Sequence, residues 1–114
     1  MIRILLIGQD HATAQGLGLQ CLERGVAVVI ADNVCEGVRA LATTPVSLIV
    51  VDAGRFRLGV REQATLFDRV APGVPVSVTV RADAPLETRV ALELAGFHVT
   101  PSPVVPDDLL KTLD

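Results

Sequence analysis

Residues 46–54 read VSLIVVDAG, an apolar run that ends in the acidic residue Asp52. A near-continuous run of Val, Ile and Leu is typical of a parallel strand that is covered on both faces. Four further apolar blocks of strand length lie at residues 2–7, 26–31, 75–80 and 97–100. The sequence therefore predicts five strands, with Asp52 at the tip of a central one.

The segments between the apolar blocks are predicted to be helices. Apolar residues recur at helical spacing within residues 12–24, 34–43, 60–71 and 86–95, and again after Pro106. In the segment 86–95, the predicted buried face consists of Leu86, Val90 and Leu94. Alternating strands and helices predict an α/β fold, an open parallel sheet with helices on both faces. We expect residues 1–114 to form a single domain.

The composition of the chain excludes several functional classes. Half of the residues are hydrophobic, which excludes a disordered chain. The net charge of −3 and the aromatic content of 3% argue against a nucleic-acid interface. Neither a signal peptide nor a membrane span is predicted, so a cytoplasmic location is expected. Cys21 and Cys35 form no CxxC pair and are predicted to be reduced thiols.

Polar residues and glycines follow the predicted strands, at the edge of the sheet where ligands bind in such folds. These strand ends are Gly8-Gln9-Asp10-His11, Asp32-Asn33, Asp52-Ala53-Gly54, Arg81-Ala82-Asp83 and Pro101-Ser102-Pro103. Asp10 is predicted to cap the first helix, because aspartate is favoured at that position. The sequence predicts neither a metal nor another cofactor. If a metal were bound, Asp10 and Asp52 would be its candidate ligands.

Four features of the sequence coincide with one known family. They are Asp52 after the third strand, Pro75-Val76 opening the fourth strand, Gly96 before the fifth strand, and Pro106-Asp107-Asp108-Leu109-Leu110 opening the last helix. In these features the whole chain resembles the CheY-like receiver domain of bacterial response regulators. The resemblance implies a flavodoxin-like (βα)5 doubly wound sheet with strand order 2-1-3-4-5, and it places Asp52 at the phosphoacceptor position. It also implies protein partners: a histidine kinase, an output domain or a second copy of the chain.

The rest of the family's phosphorylation site is replaced in this sequence. The acidic pair that holds Mg²⁺ in the family corresponds to Gly8 and Gln9, its Thr or Ser to Val80, the small residue after it to Arg81, and its Lys-Pro to Ser102-Pro103. Thr79 could replace the family's hydroxyl only if the register is shifted by one residue, which would turn its side chain to the other face of the sheet. Mg²⁺ binds through carboxylate, phosphate and water oxygens, and phosphoryl transfer depends on the charge that it neutralises. The sequence therefore predicts a pseudo-receiver, which is not an enzyme and acts mainly by protein–protein interaction. Arg81 is expected to pair with Asp52 and Asp10 and to hold one conformation.

Two alternative functions remain at this point. One is a working receiver that is phosphorylated on Asp52. The other is a small-ligand-binding flavodoxin-like domain, which would carry an apolar pocket with convergent polar groups above the strand ends. A partner face is expected at Pro101, Val104 and Val105, where an exposed apolar cluster would mark a docking surface.

Overall fold

The structure is a computed structural model that describes residues 2–102 and 104–113. Strands and helices alternate along the chain. Their bounds are β1 Arg3–Ile7, α1 His11–Glu23, β2 Ala27–Ala31, α2 Val34–Thr43, β3 Leu48–Asp52, α3 Val60–Val70, β4 Val76–Val80, α4 Leu86–Leu94, β5 His98–Pro101 and α5 Pro106–Leu113. A short 3-10 helix, Ala53–Arg55, follows β3 and was not predicted from the sequence.

The five strands form one parallel sheet with the order β2-β1-β3-β4-β5. In the register of this sheet, Leu6 of β1 lies between Ile30 of β2 and Val50 of β3. The central strands β1 and β3 are almost entirely buried, as their continuous apolar sequences require. The predicted doubly wound sheet and its strand order are confirmed.

A hydrophobic core covers each face of the sheet, because successive side chains of a strand point to opposite faces. On one face, Ile4 and Val50 pack with the buried side of α1 and with Leu109 of α5. The buried side of α1 is Ala14, Leu17 and Cys21, as the spacing of the sequence predicts. Burial raises the pKa of the Cys21 thiol, which favours its protonated form.

The second core contains all three phenylalanines of the chain. Phe67 of α3 meets Phe97 edge-on, with ring centroids 6.4 Å apart. Phe56 also meets Phe97, at a centroid distance of 5.7 Å. Both separations lie within the range in which aromatic pairs attract each other. The few aromatic side chains are therefore concentrated where α3 and the segment before β5 meet the sheet.

The predicted buried face of α4 is wrong. Leu86, Val90 and Leu94 are 74%, 42% and 83% exposed, whereas Leu92 is buried at 1%. The helix contacts mainly β5, the edge strand, so only a narrow side of it is covered. The sequence Val90-Ala91-Leu92 is apolar throughout, so helical spacing alone does not decide which of these residues faces the sheet. The three exposed side chains form an apolar stripe, called the α4 stripe below.

Among the residues that the structure describes, no helix has both the length and the apolar character needed to cross a bilayer.

Candidate functional site

Asp52 is the last residue of β3 and lies at the carboxyl edge of the sheet. Its carboxylate accepts a hydrogen bond from the Gly54 amide at 3.4 Å and so caps the 3-10 helix. The side chain also lines a cleft of about 440 Å³. The other lining residues are Ala53, Gly54, Val80, Arg81, Asp83, Ala84, Pro85 and Thr88. The half-buried carboxylate thus stands at the mouth of an open cleft at the strand ends.

The side chain of Gln9 connects the loop after β1 to strand β4. Its side-chain amide donates to the hydroxyl of Thr79 at 3.2 Å. Thr79 is buried and lies directly opposite Asp52 in the register of β3 and β4. Val80, at the position of the family's hydroxyl residue, is instead buried in the second core. The hydroxyl beside Asp52 therefore belongs to Thr79 and is hydrogen-bonded to a neutral amide.

Asp10 is the N-cap of α1, as predicted. Its carboxylate accepts a hydrogen bond from the Thr13 backbone amide at 3.2 Å, and His11 begins the helix on the exposed surface. Hydrogen bonds from Thr13, first from its side chain and then from its backbone amide, lower the pKa of the Asp10 carboxyl. This carboxylate is therefore engaged by its own helix.

Asp10 gives the domain a stability that depends on pH. Because the pKa of Asp10 is lower in the folded chain than its ordinary value of about 3.9, its stabilisation is present above that pH and is lost as the pH falls through the folded pKa. Asparagine caps helices as well as aspartate but does not titrate. We therefore expect Asp10→Asn to gain stability relative to the parent protein as the pH falls below about 4. Urea midpoints of both proteins at neutral and acidic pH check this, and a pH-independent difference would contradict it.

Arg81 does not make the ion pair that the sequence suggested. In the described part of the chain, its Nε lies 3.2 Å from Asp83 Oδ1, and it pairs with neither Asp52 nor Asp10. The expectation is wrong because β4 ends at Val80 and the chain then turns, with the Ala84 amide donating to the Arg81 carbonyl at 3.0 Å. The turn directs the Arg81 side chain into solvent, where it is 86% exposed.

A different arginine lies across the end of β1. Gly8 has a φ of +76°, in the left-handed region that favours glycine, and its amide donates to the Ala31 carbonyl at 2.9 Å. A Cβ added at Gly8 would collide with Arg55 Cγ and would lie 3.1 Å from Arg55 Cδ and Nε. Sequence reasoning missed Arg55, and a glycine after a buried strand was the one signal that pointed to a close approach of another group.

The remaining predicted positions lie around the end of β5. Ser102, at the place of the family's lysine, is exposed, and its amide donates to the Val80 carbonyl at 2.8 Å. Pro103 lies outside the described residues. Pro101 and Val105 are exposed, but Val104 is buried in the core beneath α1 and α5. The predicted partner face is corrected in this respect, because Val104 anchors the segment before α5 instead of facing solvent.

The residues present do not fit Mg²⁺, the metal that this fold family implies. Mg²⁺ requires nearly octahedral oxygen ligands, usually from one or two carboxylates together with waters and phosphate. Asp52 supplies one carboxylate, but Asp10 caps its helix and Gln9 donates to Thr79. Among the described residues, no group of three or more His, Cys, Asp or Glu side chains converges on one point.

Comparisons with known proteins agree with the fold. No family model matches the chain. The chain is 26% identical over 111 residues to the transcriptional regulatory protein GlrR of Escherichia coli (strain K12), covering 97% of this chain and 25% of GlrR. It therefore spans about a quarter of the length of this curated relative.

Two solved structures are similar over nearly the whole chain. A CheY-like response regulator receiver domain protein from Methanospirillum hungatei JF-1 superposes with a TM-score of 0.80 at 24% identity, over 99% of this chain and 90% of that one. The beryllofluoride-activated NtrC4 receiver domain dimer superposes with a TM-score of 0.82 at 18% identity, over 99% and 93%. The chain therefore has the fold of these domains.

Proposed function

We propose that this chain, which has the fold of the CheY-like receiver domains of response regulators, is a pseudo-receiver that signals by protein–protein contact without Mg²⁺-dependent phosphorylation of Asp52. The proposal rests on the end of β1, where the family has its acidic pair. Here Gly8 lies against the side chain of Arg55, and the side-chain amide of Gln9 donates to Thr79. Neither residue offers a carboxylate to a divalent cation.

Two further positions support the same conclusion. Val80 is buried in the core and has no hydroxyl, and Ser102 brings no cation to the phosphoryl position. Phosphoryl transfer rests on positioning and on neutralisation of charge; among the described residues no Lys or Arg pairs with Asp52, and the nearby hydroxyl of Thr79 is hydrogen-bonded to Gln9. The small-ligand alternative is not favoured, because Arg81 and Asp83 beside the cleft at Asp52 pair with each other and are 86% and 73% exposed, so their polar groups do not converge on a ligand.

A phosphorylation assay tests the proposal. The protein is incubated with Mg²⁺ and acetyl phosphate and then examined by intact-mass spectrometry, with Asp52→Asn as the matched control. We expect the masses of both proteins to stay unchanged. A stoichiometric phosphoryl adduct that is lost in Asp52→Asn would overturn the proposal and would favour the working receiver.

The α4 stripe is the surface that we propose for protein contact. Leu86, Val90 and Leu94 stand exposed beside one another and line a shallow groove of about 360 Å³ together with Glu87 and Ala91. A row of exposed leucine and valine side chains is typical of a docking surface, because their burial is favourable. The structurally similar NtrC4 receiver was solved as a dimer, so a second copy of this chain is the partner that we propose here.

The other partners that we propose follow from the similarity of this chain to part of a longer protein. The curated relative GlrR is a transcriptional regulatory protein about four times as long as this chain. By analogy, we propose that the domain acts on an output domain and receives its signal from a histidine kinase or another protein by contact.

A further inference from the structure

We propose that Arg55 closes the β1 end of the site to divalent cations, so that restoring the acidic pair at positions 8 and 9 is not sufficient to restore metal binding. This inference rests on the proposed function, since it explains how the pseudo-receiver excludes the metal.

The local fold brings Arg55 to this place. Asp52 caps the 3-10 helix Ala53–Arg55, and this single turn ends with Arg55 beside β1, the strand that pairs with β3. The Cγ of Arg55 then occupies the place where a Cβ of residue 8 would stand. Arg55 also lines a cleft of about 270 Å³ at the start of α2, together with Asn33 and Arg57, which is separate from the cleft at Asp52.

Gly8 and Arg55 are matched to each other. The positive φ of Gly8 is a conformation that other residues adopt only at a cost, and the missing Cβ leaves the room that Arg55 Cγ occupies. Any larger residue at position 8 must therefore displace the Arg55 side chain from its rotamer. A side chain at position 8 and the side chain of Arg55 would therefore occupy the same space.

An aspartate at position 8 could be accommodated in two ways while Arg55 is present. It would push Arg55 aside, or it would pair with the guanidinium, which is always protonated. In the first case the displaced cation stays nearby, and in the second the new carboxylate is already neutralised. Both outcomes weaken Mg²⁺ binding, because the like charge of Arg55 opposes a divalent cation.

Magnesium titrations of four proteins test the inference. They are the parent, Arg55→Ala, the double variant Gly8→Asp/Gln9→Asp, and the triple variant that adds Arg55→Ala to it. By calorimetry or NMR, we expect no binding by the parent or by Arg55→Ala, and at least about tenfold tighter binding by the triple than by the double variant. Equal affinities of the double and triple variants would overturn the inference. Mg²⁺ binding by the parent would instead overturn the proposed function.

If the triple variant does not fold, a double-mutant cycle on the free energy of unfolding tests the inference instead. Gly8→Ala is made in the parent and in Arg55→Ala, and urea unfolding is measured for all four proteins. We expect Gly8→Ala to raise the unfolding constant about tenfold more in the parent than in Arg55→Ala. Arg57→Ala is the matched control, because Arg57 lines the same cleft but does not lie among the atoms nearest to Gly8. Equal effects of Gly8→Ala in the parent and in Arg55→Ala would contradict the inference.

Discussion

Leu94→Glu is expected to weaken the proposed self-association of this domain about 30-fold, because a leucine side chain that becomes buried in an interface contributes about 2 kcal/mol. Leu94 is 83% exposed in the single chain and stands at the end of the α4 stripe. A charge placed there would have to be desolvated when the second copy docks. Sedimentation equilibrium of the parent and the variant measures the change in Kd.

Leu19→Glu is the matched control for this experiment. Leu19 is also an exposed leucine, but it lies on α1, beside Leu22 and Ile30, on a different surface of the domain. We expect Leu19→Glu to leave self-association unchanged. If Leu19→Glu dissociates the dimer and Leu94→Glu does not, the contact surface is the one on α1. A parent protein that stays monomeric at every accessible concentration would contradict the second copy as partner.

Phe67→Ala is expected to cost about 3–5 kcal/mol of folding free energy, the usual loss when a buried aromatic side chain is truncated to alanine. Phe67 is almost fully buried and packs edge-on against Phe97. The chain has no tryptophan or tyrosine, so no other type of aromatic residue contributes to the core. A small domain has a total stability of roughly 5–15 kcal/mol, so this single change removes a large share of it.

Urea unfolding followed by circular dichroism measures this loss. Phe56→Ala serves as the comparison, because Phe56 meets the same partner, Phe97, but is only half-buried. We expect it to cost clearly less than Phe67→Ala, since less apolar area returns to water. Equal losses in the two variants would show that burial does not set the energetics of this cluster.

The sequence determined the elements and their order. The five blocks became five strands, and the central strands β1 and β3, which are covered on both faces, are almost entirely apolar. The start of α1 was equally predictable: Asp10 caps this helix by accepting a hydrogen bond of 3.2 Å from the backbone amide three positions ahead. These features depend on residues that are close in sequence, so the local sequence pattern predicts them.

The tertiary structure decided where side chains point at the ends of those elements. Arg81 turned into solvent and Arg55 packed over Gly8, although both follow strands that end at the same edge of the sheet. The buried side of α4 was also settled by its place at the edge of the sheet, which covers Leu92 and leaves Leu94 exposed. Such contacts join residues that are distant in sequence, so they depend on how strands and helices pack and not on local periodicity.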